Sequence, residues 1–358
     1  MKKNIYSSVL TLTLAVLSFQ LFTSTAALAQ GCVAIRQMST YSANGSGALE
    51  ANQWQFSASY RYFRSHRHFV GTEEQTIRRE KGTEVVNMSN SLDLALTYSV
   101  TNRLIVGITI PLSYTDRTSL YEHLGNDTKP NPLGLRFNTN SQGLGDIRLS
   151  ANYWMLNPES HKDGNISLGA GVKAPTGNYD VQGDFQKATG VVHKTVDQSL
   201  QLGDGGWGIT LEMQAYKKLF NRAFAYTNAF YLINPRVMVP NGTRSTPDQF
   251  SARAGVTYTV LPTQGIALGL GGRIEGLPSQ DLIGSSEGGR RPGYIISIEP
   301  SISYTKGKDF FSLNVPVALV RDRTQNYSDK LNSTPEKKVQ GDAAFADFLV
   351  SISYSHRF

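Results

Sequence analysis

From Gln53 onward the chain repeats one pattern: apolar or aromatic residues at every second position, then a break rich in Gly, Pro, Asn and Asp. Side chains of an extended strand alternate between its two faces, so each stretch predicts a β-strand with one apolar face. Twelve stretches carry the pattern: Gln53–Arg64, Ser91–Val100, Leu104–Thr115, Gly145–Leu156, Asn165–Thr176, Gly206–Lys218, Phe224–Asn234, Gln249–Val260, Gly265–Glu275, Tyr294–Thr305, Phe310–Arg321 and Ala346–Phe358. Most have the length of a strand that crosses a bilayer at a tilt.

The connections alternate as well. Thr101–Arg103, Asn157–Gly164, Leu219–Ala223, Leu261–Gln264 and Lys306–Asp309 are short. Ser65–Asn90, Asp116–Leu144, Gly177–Gly205, Pro235–Asp248, Gly276–Gly293 and Asp322–Ala344 are long. Short and long links in strict alternation are the mark of a transmembrane up-and-down barrel, with short periplasmic turns and long external loops. The expected fold is therefore all-β: an antiparallel barrel of about twelve strands, closed by pairing its first and last strands because an open edge cannot be satisfied in lipid.

Charge placement agrees. With Trp54, Phe56, Ala58, Tyr60 and Tyr62 facing lipid, Arg61 points inward; with Leu92, Leu94 and Leu96 outward, Asp93 points inward. Ile147, Leu149, Ala151 and Tyr153 outward leave Asp146 and Arg148 inside, and Lys173, Glu212, Arg253, Arg273, Glu275 and Glu299 also oppose the greasier face. A lysine or arginine on the lipid face at mid-membrane costs about 2–4 kcal/mol, which explains the sorting. These ten residues, five acids and five bases, are the candidate lumen lining, and the balance predicts pairing, a narrow constriction, small conductance and weak ion selectivity. Phe224, Tyr226, Phe230 and Leu232 compete with Tyr231 and Ile233 in the seventh strand, whose faces stay unassigned. Tyr98, Trp154, Tyr216, Tyr258, Tyr304, Tyr354 and Phe358 gather near the short turns and predict an aromatic girdle at the inner interface.

The two ends of the chain point to export. Lys2 and Lys3, the uncharged stretch Val9–Phe22 and the small-x-small site Ala27-Leu28-Ala29 predict a signal peptide over 1–29. Cys32 follows a poor lipobox, so lipidation is disfavoured. The segment Gln30–Asn52 is expected to be a periplasmic tail or a plug, and 53–358 the barrel. At the other end, Phe348, Val350, Ile352, Tyr354, His356 and Phe358 share one face, which resembles the C-terminal assembly signal of outer-membrane barrels, with Tyr354 and Phe358 as its aromatic elements.

Composition changes the picture little. The 33 glycines, 17 tyrosines and 16 phenylalanines suit tightly turned strands, and one cysteine excludes an intramolecular disulfide. The formal charge of +7, less two for the signal lysines, comes without a long basic run, so nucleic acid is not an expected partner.

Three glycine motifs remain. Gly143-Leu144-Gly145-Asp146 is expected to open the fourth strand; no helix follows it, which argues against a phosphate loop. Lys173-Ala174-Pro175-Thr176-Gly177 ends the fifth strand, and Leu202-Gly203-Asp204-Gly205-Gly206-Trp207 leads into the sixth. With Thr101-Asn102-Arg103-Leu104 and Glu299-Pro300, these motifs resemble, in order and over Asn90–Phe358, the outer-membrane family linked to the phenol-degradation meta-pathway. That resemblance implies a barrel and passage of small hydrophobic or aromatic solutes.

Enzyme chemistry finds little support. His66, His68, His123, His161 and His193 fall in loops, His66 and His68 lack a third metal ligand, and no Gly-x-Ser-x-Gly is present. No catalytic residue, metal or cofactor is expected. Arg78, Arg79, Lys81, Arg290 and Arg291 are loop cations, solvated or in contact with lipopolysaccharide phosphate. The expected function is an outer-membrane channel for small, hydrophobic or aromatic solutes; the alternatives are a structural, adhesive or receptor barrel acting through its external loops and, last, a barrel hydrolase. Expected partners are outer-membrane lipid and lipopolysaccharide, the barrel-assembly machinery and a small apolar solute.

Overall fold

The computed structural model describes residues 49–120, 122–123, 136–187, 189–242, 245–287 and 290–358. The expected signal peptide, Cys32 and most of the Gln30–Asn52 segment lie outside the described residues.

Twelve wall strands close into one antiparallel barrel. They are β1 (Trp54–Val70), β3 (Val86–Ser99), β4 (Leu104–Thr118), the interrupted pair β5 (Asn138–Leu144) and β6 (Arg148–Trp154), β7 (Gly164–Lys173), β10 (Gly208–Phe220), β11 (Ala223–Ile233), β12 (Gln249–Leu261), β13 (Ile266–Leu277), β14 (Gly293–Lys306), the interrupted pair β15 (Asp309–Asn314) and β16 (Val317–Asp322), and β17 (Ala343–Arg357). Closure is made by β1 on β17, from Gln55 opposite Arg357 to Phe69 opposite Ala343. The long links carry structure of their own: β2 (Glu73–Glu74), α1 (Thr76–Glu80), the hairpin of β8 (Gln182–Lys187) and β9 (Gly190–Thr195), and α2 (Tyr327–Leu331).

Short turns are tight where backbone conformation allows. Gly307, at φ +60°, joins β14 to β15 in a two-residue turn, a position where a side chain is strained.

The alternation read from the sequence becomes an inside and an outside. Leu149, Leu168, Leu211, Val256, Leu268, Leu270, Ile302 and Ile352 are exposed around the wall, while Ser57, Ser91, Asp93, Asn152, Thr210, Gln214 and Ser297 are buried within it. An exposed apolar belt around a polar interior is stable only against lipid.

The structure also departs from the pattern. The Gly143–Asp146 motif does not open the fourth wall strand but interrupts it. Pro111 on β4 has no N–H to offer, Gly145 N bonds Pro111 O at 2.8 Å, and the Asp146 carboxylate turns aside to accept Gly177 N at 2.9 Å. Pro316 marks the second interruption, between β15 and β16. The girdle is only partly as expected: the rings of Trp54 and Tyr98 meet tilted at 4.6 Å and those of Phe311 and Tyr354 at 4.8 Å, but Trp154 is buried inside the barrel, edge-on to Tyr216 at 5.8 Å and beside Ile105. Trp154 follows Asn152 on the inward face, and strand parity overrides the preference of an indole for the interface.

Candidate transport path

Mid-barrel, the inward charges meet. Arg61 on β1 reaches Glu275 on β13, four strands away round the wall, at 2.9 Å. Arg273 pairs with Glu275 at 2.8 Å and with Glu299 at 3.2 Å, and Arg253 completes the run on Glu299 at 3.3 Å. Arg253 also donates to Asn228 Oδ1 at 3.1 Å. On the other side Arg148 pairs with Asp93 at 3.6 Å and stacks over the Phe230 ring at 5.3 Å. Glu212 faces Asn152 Nδ2 at 3.5 Å and interacts electrostatically with Arg148. Lys173 stands apart with Asp146, at 3.3 Å, and with Asp204. Of the ten inward candidates, Glu212 and Arg253 are partly buried and the other eight are buried. Tyr354 donates to Asp309 at 2.8 Å near the chain end, and Phe358 is exposed.

The seventh wall strand supplies what its sequence left open. Tyr226, Asn228, Phe230 and Leu232 are buried inside, with Ala225, Thr227, Ala229 and Tyr231 on the other face. Because both faces are apolar, periodicity alone carries no signal there, and Phe230 as an inward partner of Arg148 was not legible.

The outer mouth is covered by loops that fold inward. Arg117, at the end of β4, is buried; its guanidinium forks onto Glu122 at 2.8 and 2.9 Å and approaches Asp197 at 3.4 Å. Asp197 also takes the fork of Arg291 at 3.0 and 3.2 Å. Burial alone would raise this carboxyl, but Arg117 and Arg291 hold it well below the ordinary carboxylate range. Asp342 is likewise lowered against its burial by His68, at 3.0 Å, and by Arg78. His68 therefore serves the cap rather than a metal: its Nε2 accepts Val85 N at 2.9 Å, and no cluster of metal-ligating residues occurs among the described residues. Phe185 of the β8–β9 hairpin is buried against His123 at 5.1 Å, with Val196 and Leu200 beneath. Among these loops opens a cavity of about 560 Å³, bordered by Phe185, Lys194, Asp197, Arg291, Arg323 and Asp342.

The cavity stands at the head of a seam in the wall. β15 pairs with β17 over its whole length, from Asp309 opposite His356 to Asn314 opposite Ser351. Beyond Pro316 only Val317 opposite Phe348 remains, while β16 keeps its pairing with β14 up to Asp322 opposite Tyr294. Ala343, Ala344, Phe345 and Ala346 on β17 are all buried, whereas a wall strand between lipid and lumen shows alternate burial. Ala343, Phe345 and Ala346 pack with Phe63, Phe69, Ile295 and Leu349, and Ala318 of β16 lies against that cluster. Outside, Leu319 is 63% exposed. The seam is thus apolar on both sides apart from the ion pair that Arg321 on β16 makes with Asp347 on β17 across it, at 3.3 Å. His66, on Asp347 at 3.1 Å, borders it.

A closed twelve-strand barrel with a lipid-facing belt defines an outer-membrane β-barrel protein, and the comparisons agree. Residues 98–329 match the family described as "Putative MetA-pathway of phenol degradation", and the chain belongs to that family. The COG4313 outer membrane channel from Pseudomonas putida F1 superposes with a TM-score of 0.56 at 17% identity, covering 87% of this chain and 97% of that one. Two more distant barrels are the P. putida toluene transporter TodX (TM-score 0.42, 12% identity, 87% and 91% coverage) and the CymD monoaromatic hydrocarbon channel (0.43, 10%, 90% and 95%). No curated protein sequence matches. The chain is a Gram-negative outer-membrane barrel.

Proposed function

We propose that this chain is a passive outer-membrane channel for small apolar, aromatic solutes, which leave the barrel through the seam between β16 and β17. One observation carries the reading: the lumen is crossed by buried ion pairs, while the junction of β16 and β17 beside it keeps a single backbone pairing and is lined by apolar side chains, with one ion pair, Arg321 on Asp347, across it. Water and ions meet a dense charged constriction. A solute such as toluene meets Phe63, Phe69, Phe345 and Leu349, then the lipid-facing Leu319, and its transfer to hydrocarbon is favourable. The ten inward charges act in this reading as the constriction that diverts the solute, not as a substrate site. Family membership adds the aromatic character of the solute. The protein is a transporter and not an enzyme; outer-membrane lipid, lipopolysaccharide and the barrel-assembly machinery are its partners in place.

Vesicle uptake tests it. In a Cys32→Ser background, a disulfide between Val317→Cys and Phe348→Cys, the one pair of facing positions left between the strands, stitches β16 to β17. Toluene uptake should fall when the bridge is oxidised and return on reduction, with ion conductance unchanged. Uptake indifferent to the bridge overturns the seam as the route.

A further inference from the structure

We infer that the cavity among the external loops is a capture site for small aromatic carboxylates of the benzoate type. The inference goes beyond the channel reading above: it adds an anionic ligand bound among the loops and does not route that ligand through the apolar seam. The cavity is bordered by both charge signs, but the two are not equally available. Each carboxylate is already engaged: Glu122 by both arms of the Arg117 fork, Asp197 by the Arg291 fork and Arg117, Asp342 by His68 and Arg78. Asp329 holds Arg323 at 3.1 Å and accepts the backbone N–H groups of Asn326 at 3.0 Å and Gly341 at 3.2 Å. A cationic solute therefore finds no open counter-charge.

Lys194 differs. Among the described residues it has no carboxylate partner; its ammonium sits 4.3 Å from the centroid of the Phe185 ring, on the border of the cavity. A cation held on an aromatic face keeps donors that point away from the ring, and a carboxylate takes them without displacing a native pair. Arg291, partly exposed on the same border, adds positive potential. Phe185 and Val196, each 2% exposed, give the border only a small apolar part, and the volume, about 560 Å³, is ample for one benzene ring with its carboxylate. The border continues through Arg323 and Asp342 to the ends of β16 and β17, so the site opens beside the seam.

The test is equilibrium binding to the full chain in detergent, by calorimetry at neutral pH, with benzoate, benzylamine and toluene as probes. Benzoate should bind about tenfold more tightly than benzylamine, and Lys194→Glu should remove that preference while Lys194→Arg restores it. Lys194 is an exposed hairpin residue, and heat-modifiable gel mobility verifies that each variant is folded. Equal binding of benzoate and benzylamine, or benzoate binding untouched by Lys194→Glu, overturns the site. Binding in detergent needs no passage, so absence of toluene uptake in vesicles counts against the channel reading and leaves this result standing.

Discussion

Glu275 on β13 is shared by two arginines, Arg61 at 2.9 Å and Arg273 at 2.8 Å, whereas among the described residues Arg61 has Glu275 as its one close carboxylate. The asymmetry predicts unequal costs. Glu275→Leu leaves the Arg61 guanidinium buried without its partner and should cost about 3–5 kcal/mol. Arg61→Met leaves Glu275 with Arg273 and should cost about 1–3 kcal/mol. The double variant strands no charge and should be more stable than Glu275→Leu alone. Urea unfolding in lipid vesicles measures all three, and equal losses in the two single variants would sink the argument.

Conductance depends on the other end of the same run. The wild-type barrel should show small conductance and little preference between cations and anions, because its inward charges are balanced and paired. Replacing Arg253 and Arg273 together by Ala leaves Glu299 buried with neither cation, while Glu275 keeps Arg61. Conductance should rise and the reversal potential in a salt gradient should move toward cation selectivity. Planar-bilayer recordings decide it; strong selectivity in the wild type would show that the inward faces do not govern passage.

The external cap has its own dependence on pH. Asp197 is held below the ordinary carboxylate range by Arg117 and Arg291. A carboxyl whose folded value is depressed contributes stability above its unfolded value and loses it as pH falls through the folded one. The cap should therefore keep its protection from pH 7 down to about pH 4, where free carboxyls titrate. Asp197→Asn removes the charge at every pH and should raise hydrogen exchange in 182–200 already at pH 7. Exchange that rises in the wild type between pH 7 and pH 4 would assign the cap's strength to other groups.

The wall was legible because one face of each strand must meet lipid and the other must not. Gln249–Val260 and Gln249–Leu261 differ by a single residue for that reason. The inward position of Arg61, Arg273, Glu275 and Glu299 followed from the same parity. Which charge meets which did not, since Arg61 and Glu275 are far apart in sequence and join only when the barrel closes. Pro316 falls inside the predicted strand Phe310–Arg321, and the loss of pairing beyond it shows only once β16 and β17 are set side by side. The cap around Arg117 and Phe185 lies in loops, where no periodicity reports burial. Trp154 misled because residue type suggested the interface while strand parity set it inside.

Phe358 separates assembly from stability. Its backbone N–H reaches Trp54 O at 2.9 Å, joining the last residue to the first wall strand, but its ring is 59% exposed and touches His356 edge-on at 5.0 Å. So small a buried area gives the ring little weight in the finished barrel, and Phe358→Ala should change the unfolding free energy of assembled protein by no more than about 1 kcal/mol. If the terminal aromatic is read during insertion, the same substitution should lower the yield of heat-modifiable protein in outer-membrane fractions severalfold, as far as deletion of Phe358 does. Deletion should also weaken closure, because the bond to Trp54 is lost. The two measurements on Phe358→Ala must then diverge: a full yield would remove the assembly role, and a yield that falls in step with stability would make the ring an ordinary packing element.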